Sequence, residues 1–306
     1  MKKSPEFLGA LEAGGTKMVM AICDTDGNIM SRKIIPTKSP DETLPEMISY
    51  YKSYDISALG IATFGPVDLN KDSSTYGNIL MTPKTKWVNY PLLSTFQKSL
   101  HIPILIDTDV NGSCLGEVTY GDSKGLTDVI YITIGTGIGA GIISGGNMIH
   151  GMMHPEAGHI PVTPRPADPG KCICPYHTNC LEGLASGPSI EKRWGLTADK
   201  LLDRDEVWEL EADYISDALV SFIMTLSPQR IILGGGVMHV DALFPLVRTK
   251  VKEKLNGYIR SHELEDMDSY ITPPSLKDDQ GILGALRLAI TALENDTDKP
   301  QAPSGY

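Results

Sequence analysis

The chain of 306 residues contains no apolar run of about 18 residues, the length that a membrane-spanning helix requires. Its start, MKKSPEFLG, carries charge but lacks the apolar segment of a secretory leader, so the expected compartment is the cytoplasm, with no membrane partner. Basic residues are few: 27 Lys and Arg stand against 38 Asp and Glu, a net charge of −11. That deficit leaves no positive footprint for nucleic acid or an anionic membrane surface, and it points to a small-molecule partner. Cysteine is sparse as well. Of the five, Cys23 and Cys114 stand alone in apolar surroundings and read as small buried hydrophobes. Cys172, Cys174 and Cys180 fall within nine residues, which in a reducing compartment suggests a metal more than disulfides. What remains is an ordinary globular composition, 41% hydrophobic and 21% charged, able to bury one large core or two smaller ones.

Short apolar runs near 7–12, 17–23 and 29–35 read as strands, followed by a helix over 40–54, a strand at 58–64, a helix near 91–100 and a strand over 102–107. Three strands followed by βα units imply a sheet with helices on its faces. After a helical pattern over 111–120 the plan returns. VIYITIGTGIGAGIISGGNMI is again strand, glycine turn, strand and Gly-Asn turn. Two copies of one α/β plan predict two lobes with a cleft between them, a common home for a small ligand. Residues 161–183 break the rhythm with proline, cysteine and histidine. Long helices at 205–226 and 241–260 follow, with a short buried strand at 230–233 between them and an amphipathic helix over 281–293 near the end. The tail NDTDKPQAPSGY reads as unstructured.

Two turns deserve a chemical reading. FLGALEAGGTKMVMAIC places Gly14, Gly15, Thr16 and Lys17 at the tip of a hairpin. A Walker loop would need Gly-Lys-Ser/Thr opening a helix, whereas here a strand follows. The second, GTGIGAG, also runs between two strands and so fails the context of a dinucleotide fingerprint. Each is satisfied as a plain hairpin turn. Placed at matching positions of a repeat, they point instead to phosphate, because glycine backbone approaches oxygens closely and Thr16 or Thr136 adds a hydroxyl. A third cluster, RIILGGGVM, ends a buried strand ahead of a helix, where bare backbone can lie against a base and ribose or simply pack closely.

PILIDTDVNGSCLGE puts Asp107 and Asp109 at the end of a strand and the start of a helix. Strand ends of α/β sheets hold ligands, and phosphoryl transfer needs a group that orients and deprotonates the attacking hydroxyl. Either acid is equally suited to cap the helix.

Taken in order, LEAGGTK, DTDVNGSCLGE, TIGTGIGAGI, HPEAGH with the cysteine cluster and CLEG, IILGGGV, and GILGAL resemble the motifs of the ROK family of repressors and sugar kinases, within the actin-like ATPases. FGPVDL and YGNILMTPKTKW resemble its fructokinase branch. The resemblance implies a duplicated, ribonuclease H-like α/β fold: a smaller lobe over 1–115 joined by the helix near 281–295, a larger lobe over 116–280 with a zinc-binding loop at 156–183, and a flexible tail over 296–306. It leaves no room for the N-terminal DNA-binding domain of the repressor members. It further implies a cytoplasmic, homodimeric ATP-dependent hexose kinase acting on fructose, with mannose, glucose, N-acetylmannosamine or a silent sugar sensor as alternatives.

By the same resemblance Asp109 is the catalytic base. Gly14, Gly15, Thr16 and Lys17 reach the transferred end of ATP, with Thr133, Gly135, Thr136 and Gly137 opposite and Mg²⁺ offsetting phosphate charge. Pro188, Gly235 and Gly236 border the adenine, and Glu156, His159 and Glu182 match sugar-binding positions. Many family members have Asn-Asp where this chain has Thr108-Asp109, so the sugar contact of that Asn is not assigned. For the metal, CICPYHTNC offers Cys174, His177 and Cys180, and upstream His159 completes two thiolates and two imidazoles, a set suited to structural Zn²⁺. Cys172 is a rival for Cys174, since glucokinase-like relatives use a C-x-C pair.

Overall fold

The computed structural model describes residues 7–297. They form two compact units, one of residues 7–124, His150–His154 and 276–297, the other of 125–149 and 155–275. Among the described residues no helix is long and apolar enough to cross a membrane.

In the first unit, strands β1 (Phe7–Ala13), β2 (Lys17–Cys23) and β3 (Ile29–Pro36) form an antiparallel meander. Helix α1 (Pro40–Lys52), β4 (Ile56–Thr63), α2 (Leu92–Leu100), β5 (Ile104–Thr108) and α3 (Asp109–Tyr120) follow. β4 and β5 run parallel to β1, giving the order β3-β2-β1-β4-β5. β1, β2 and β4 are apolar on both faces because both are covered. One face packs Leu11, Met18, Met20, Ile61 and Phe96 with α1 and α2; the other packs Leu8, Ala10, Ala58 and Ala62 against the C-terminal helix, Gln280–Thr297. That helix includes Asn295, Asp296 and Thr297, so the first residues of the expected tail are helical. No breaker stands before Pro300, and the propensity of the preceding turns carries the helix on. Residues 298–306 lie outside the described residues.

The helix fits because glycines let backbones touch. A Cβ on Gly60 of β4 would stand 1.8 Å from the Ala285 carbonyl oxygen, one on Gly284 would stand 1.7 Å from that of Gly112, and one on Gly116 would stand 2.2 Å from that of Gln280. Close packing of α3 against the C-terminal helix therefore fixes the start of α3.

The second unit repeats the plan. β6 (Val129–Ile134), β7 (Ile138–Ser144) and β8 (Asn147–Met148) form a meander, then come α4 (Leu181–Ala185), α5 (Gly187–Trp194), α6 (Asp205–Leu226), β9 (Arg230–Gly234), α7 (Leu243–Leu255), α8 (Met267–Tyr270) and β10 (Ile271–Thr272). The order β10-β9-β6-β7-β8, with β9 and β10 parallel to β6, reproduces the topology of the first sheet. Its core joins Ile130, Ile132, Leu219, Phe222, Ile231 and Val247.

A buried polar knot pins the irregular segment after β8. Asp168 accepts from Arg193 Nε and from the Tyr214 hydroxyl at 2.7 Å each, and both ion-pair partners are almost fully buried. Arg165 bridges to Asp213 and Asp217 of α6 at 2.8 and 2.9 Å. Glu211, buried beside Arg193 and Asp168, has its carboxyl pushed well above the usual range by loss of solvent.

Candidate active site and metal cluster

The turn between β1 and β2 is closed by the Gly14 amide donating to the Lys17 carbonyl at 3.0 Å, and a Cβ at 14 would stand 2.7 Å from that oxygen. Thr37, just past β3, braces it through an N–H bond to the Thr16 carbonyl at 2.9 Å and a hydroxyl bond to the Gly14 carbonyl at 2.7 Å. Thr16 and Lys17 are exposed at the tip. An ammonium and a hydroxyl beside glycine amides suit a phosphate chain. Glu12, the last acid before this turn, has its carboxyl pushed up to about 7 by burial and by the charge of Asp109. Its carboxylate lies where a side chain at 281 would go, 2.6 Å from a Cβ built on Gly281. Sequence alone gave Glu12 no role beyond an acid in a strand.

At the β5–α3 junction neither acid is the cap. Thr108 takes that place, its hydroxyl accepting from the Asn111 amide at 3.1 Å. Asp107 is committed elsewhere: Oδ1 accepts from Thr108 N at 2.8 Å and Asn111 Nδ2 at 2.6 Å, and Oδ2 faces His150 Nε2 at 2.7 Å. The bond to Asp107 raises the His150 pKa above the ordinary imidazole value. His154 accepts from the Val67 amide at 3.3 Å, so both ends of His150–His154 are tied to the first unit. These two histidines went unread in the sequence because their partners lie 43 and 87 residues away. Asp109 opens α3 half-buried, with Oδ1 accepting from Val110 N at 2.9 Å.

In the second unit the turn of residues 135–137 is closed by Gly135 N donating to the Gly137 carbonyl at 2.9 Å. Gly187 N donates to the Gly135 carbonyl at 2.8 Å, which brings the turn to the start of α5, where Pro188 occupies the first turn. Gly235, at φ +88°, has no room for a Cβ, which would stand 2.4 Å from the Ile134 carbonyl oxygen. A Cβ at Gly135 would lie 3.7 Å from the Gly236 amide, and nothing stands within 4 Å of one at Gly236. The turn of residues 135–137 thus lies beside Gly236 and the start of α5, with Thr133 at the end of β6 and Thr136 in the turn. Glycine backbone with open space beside it at Gly236 is suited to a close-lying ligand such as a nucleotide.

Glu182 faces the same turn: its Oε2 accepts from Ile138 N at 2.8 Å and would lie 2.9 Å from a Cβ on Gly137. Its Oε1 is 3.8 Å from His159 Nε2. Glu156 precedes the short 3₁₀ turn Ala157–His159, which packs so closely on β7 that a Cβ at Gly158 would stand 1.9 Å from the Ile138 carbonyl oxygen.

The opposite nitrogen of that imidazole, His159 Nδ1, faces Cys174 Sγ at 3.9 Å, and His177 Nδ1 faces the same sulfur at 3.4 Å. One ligand atom from each of His159, Cys174, His177 and Cys180 lies within 4.8 Å of the others. A tetrahedral zinc with bonds of about 2.0–2.3 Å holds its ligands roughly 3.3–3.8 Å apart, so two imidazoles and two thiolates suit that ion in kind, and atoms that lie within 4.8 Å of one another would draw together by up to about 1 Å to hold it. Glu182 stands on the other side of His159, its Oε1 3.8 Å from Nε2 and so near the imidazole without bonding to it. Cys172 stands outside the set, with Sγ 3.9 Å from Cys180 Sγ.

Comparison with known proteins places the chain in a family. The model of the ROK family matches residues 8–292. A putative fructokinase of Bacillus subtilis (strain 168) is 49% identical over 289 residues, covering 94% of this chain and 97% of the relative. A fructokinase of Pediococcus pentosaceus is 42% identical over 289 residues, covering 94% of this chain and 99% of its own. Among solved structures, the ROK hexokinase of Thermus thermophilus superposes with a TM-score of 0.77 at 21% identity, over 94% of this chain and 99% of the other, a likeness of fold. The chain belongs to the ROK family.

Proposed function

We propose that this protein is an ATP-dependent hexose kinase that transfers the γ-phosphate of ATP to the 6-hydroxyl of fructose. The observation that carries the reading is Asp109 at the start of α3, relieved of capping by Thr108, in the same unit as the glycine turn tipped by Thr16 and Lys17. Fructose is supported by relatives named fructokinase at 49% and 42% identity. Asp109 accepts the proton of the attacking hydroxyl as the new oxygen–phosphorus bond forms and ADP leaves. The amides of both glycine turns, with Lys17, hold the phosphates, and Gly235, Gly236 and Pro188 border the adenine. Glu156, His159 and Glu182 bind sugar hydroxyls, for which carboxylates and imidazole are suitable partners. Mg²⁺, carried in with the nucleotide, offsets charge on the phosphates. A cytoplasmic location and a homodimer belong to the same reading. Carbon-13 and phosphorus-31 NMR of the product tests it: phosphate on C6 of fructose is expected, and phosphate on C1 would reject the assignment.

Zn²⁺ held by His159, Cys174, His177 and Cys180 fixes the segment that carries the sugar residues without entering the reaction. The base of that segment is pinned separately by Asp168 and Arg165. Chelation is therefore expected to raise the KM for fructose about tenfold or more before the fold melts, since coordination orders neighbouring residues. A metal-free sample with unchanged KM would refute this role.

A further inference from the structure

We infer that Cys172 and Cys180 form an oxidation site, at which a hydroperoxide converts the two thiols into a disulfide and removes one ligand from the metal cluster. Their sulfurs are in contact at 3.9 Å, and Cys172 is the cysteine of the cluster that the four-ligand set leaves over. One residue places both: Cys172 Sγ sits 2.1 Å from where a Cβ on Gly183 would be, and Cys180 Sγ accepts from Gly183 N at 3.3 Å. The Ile173 amide, donating to the Gly183 carbonyl at 2.8 Å, locks the chain around Cys172 to the same glycine. A bulkier residue at 183 would push Cys172 away. A disulfide is about 2.05 Å long, so the sulfurs must approach by roughly 1.9 Å for the bond to form.

Access is provided by a cavity of about 430 Å³ lined by Cys172, Cys174, Lys171, Tyr176 and His177. Cys172 is partly exposed, whereas Cys180 is buried, so the peroxide reaches Cys172 first. Its sulfur attacks one peroxide oxygen, the O–O bond breaks, and a sulfenic acid and one water form. The Cys180 sulfur then attacks the sulfenic sulfur, the S–OH bond breaks, and hydroxide leaves to become the second water with the remaining proton. The two sulfurs give up two electrons and the peroxide accepts them. Cys180, now a disulfide sulfur, is no longer a thiolate ligand.

The metal consequence rests on the zinc reading above, while the disulfide does not. The test treats the intact protein with hydrogen peroxide and follows intact mass, peptide maps and the colour of a zinc indicator. Expected are a loss of two hydrogens, a linked Cys172–Cys180 peptide, zinc release, and reversal of the linkage by dithiothreitol. Cys172→Ser, with Cys172→Ala as a second variant, should release zinc about tenfold more slowly at the same dose, because the thiol that meets the peroxide is gone and the buried Cys180 has no sulfenic partner to attack. A Cys174–Cys180 link, or sulfinic acids with no link, would overturn the proposal, as would equally fast release from both variants. If the untreated protein holds no zinc, the metal consequence fails and the mass and peptide map still decide the disulfide.

Discussion

Asp109→Asn is expected to lower kcat for fructose about a thousandfold, roughly 4 kcal/mol of transition-state stabilisation, with the KM for fructose changed by less than about threefold. Asparagine keeps the shape of the side chain and can still accept the hydrogen bond that Val110 N gives to Asp109 Oδ1. What it lacks is the ability to take a proton. The helix start does not depend on residue 109, because Thr108 caps it, so the variant should lose at most about 1 kcal/mol of stability from the missing charge at the helix N-terminus. Steady-state kinetics with a thermal melt separates the two effects. A variant that retains kcat within a few fold would return Asp109 to a local structural role.

Gly284→Ala should produce the largest loss of stability, about 3 kcal/mol or more, because the added methyl would overlap the carbonyl of Gly112 at 1.7 Å and neither backbone can yield without moving a helix. Since α3 carries both Gly112 and Asp109, kcat is expected to fall together with the melting temperature. Gly257→Ala provides the contrast. Its φ of +70° strains any side chain, but nothing stands within 4 Å, so the cost should stay near 1 kcal/mol. Denaturant unfolding of both variants measures the difference; equal losses would mean that the close approach of α3 to the C-terminal helix does not bear on stability.

Much of this architecture is legible in the residues. The two meanders declare themselves as apolar runs separated by glycine turns, and their repetition anticipates two sheets of one topology. Long amphipathic helices are equally plain, with α6 falling at the expected 205–226. Contacts between distant residues are not. The glycines of GILGAL and DVNGSCLGE are visible, but their purpose emerges only when one helix lies against the other. Asp107 illustrates the same limit: from spacing it is a candidate base or cap, and in the fold His150 and Asn111 occupy it. β10, two residues long, is too short for any periodicity to mark it.

Spacing and the family resemblance together point to Cys174, His177 and Cys180 with His159, and the fold brings one ligand atom of each within 4.8 Å of the others. The relation of Cys172 to Cys180 is not legible in this way, since it depends on Gly183 drawing both sulfurs to one place. Glu12 was hidden for another reason. An acid inside an apolar strand gives no sign of its neighbours, and here they are Gly281 and the charge of Asp109.

Whether this is a kinase for fructose is decided by ADP formation from Mg-ATP by the purified zinc-replete protein over fructose, glucose, mannose and N-acetylmannosamine. The highest kcat/KM is expected with fructose. A higher value for another sugar would contradict the substrate, and fructose binding without any ADP formation would replace the kinase by a sugar sensor.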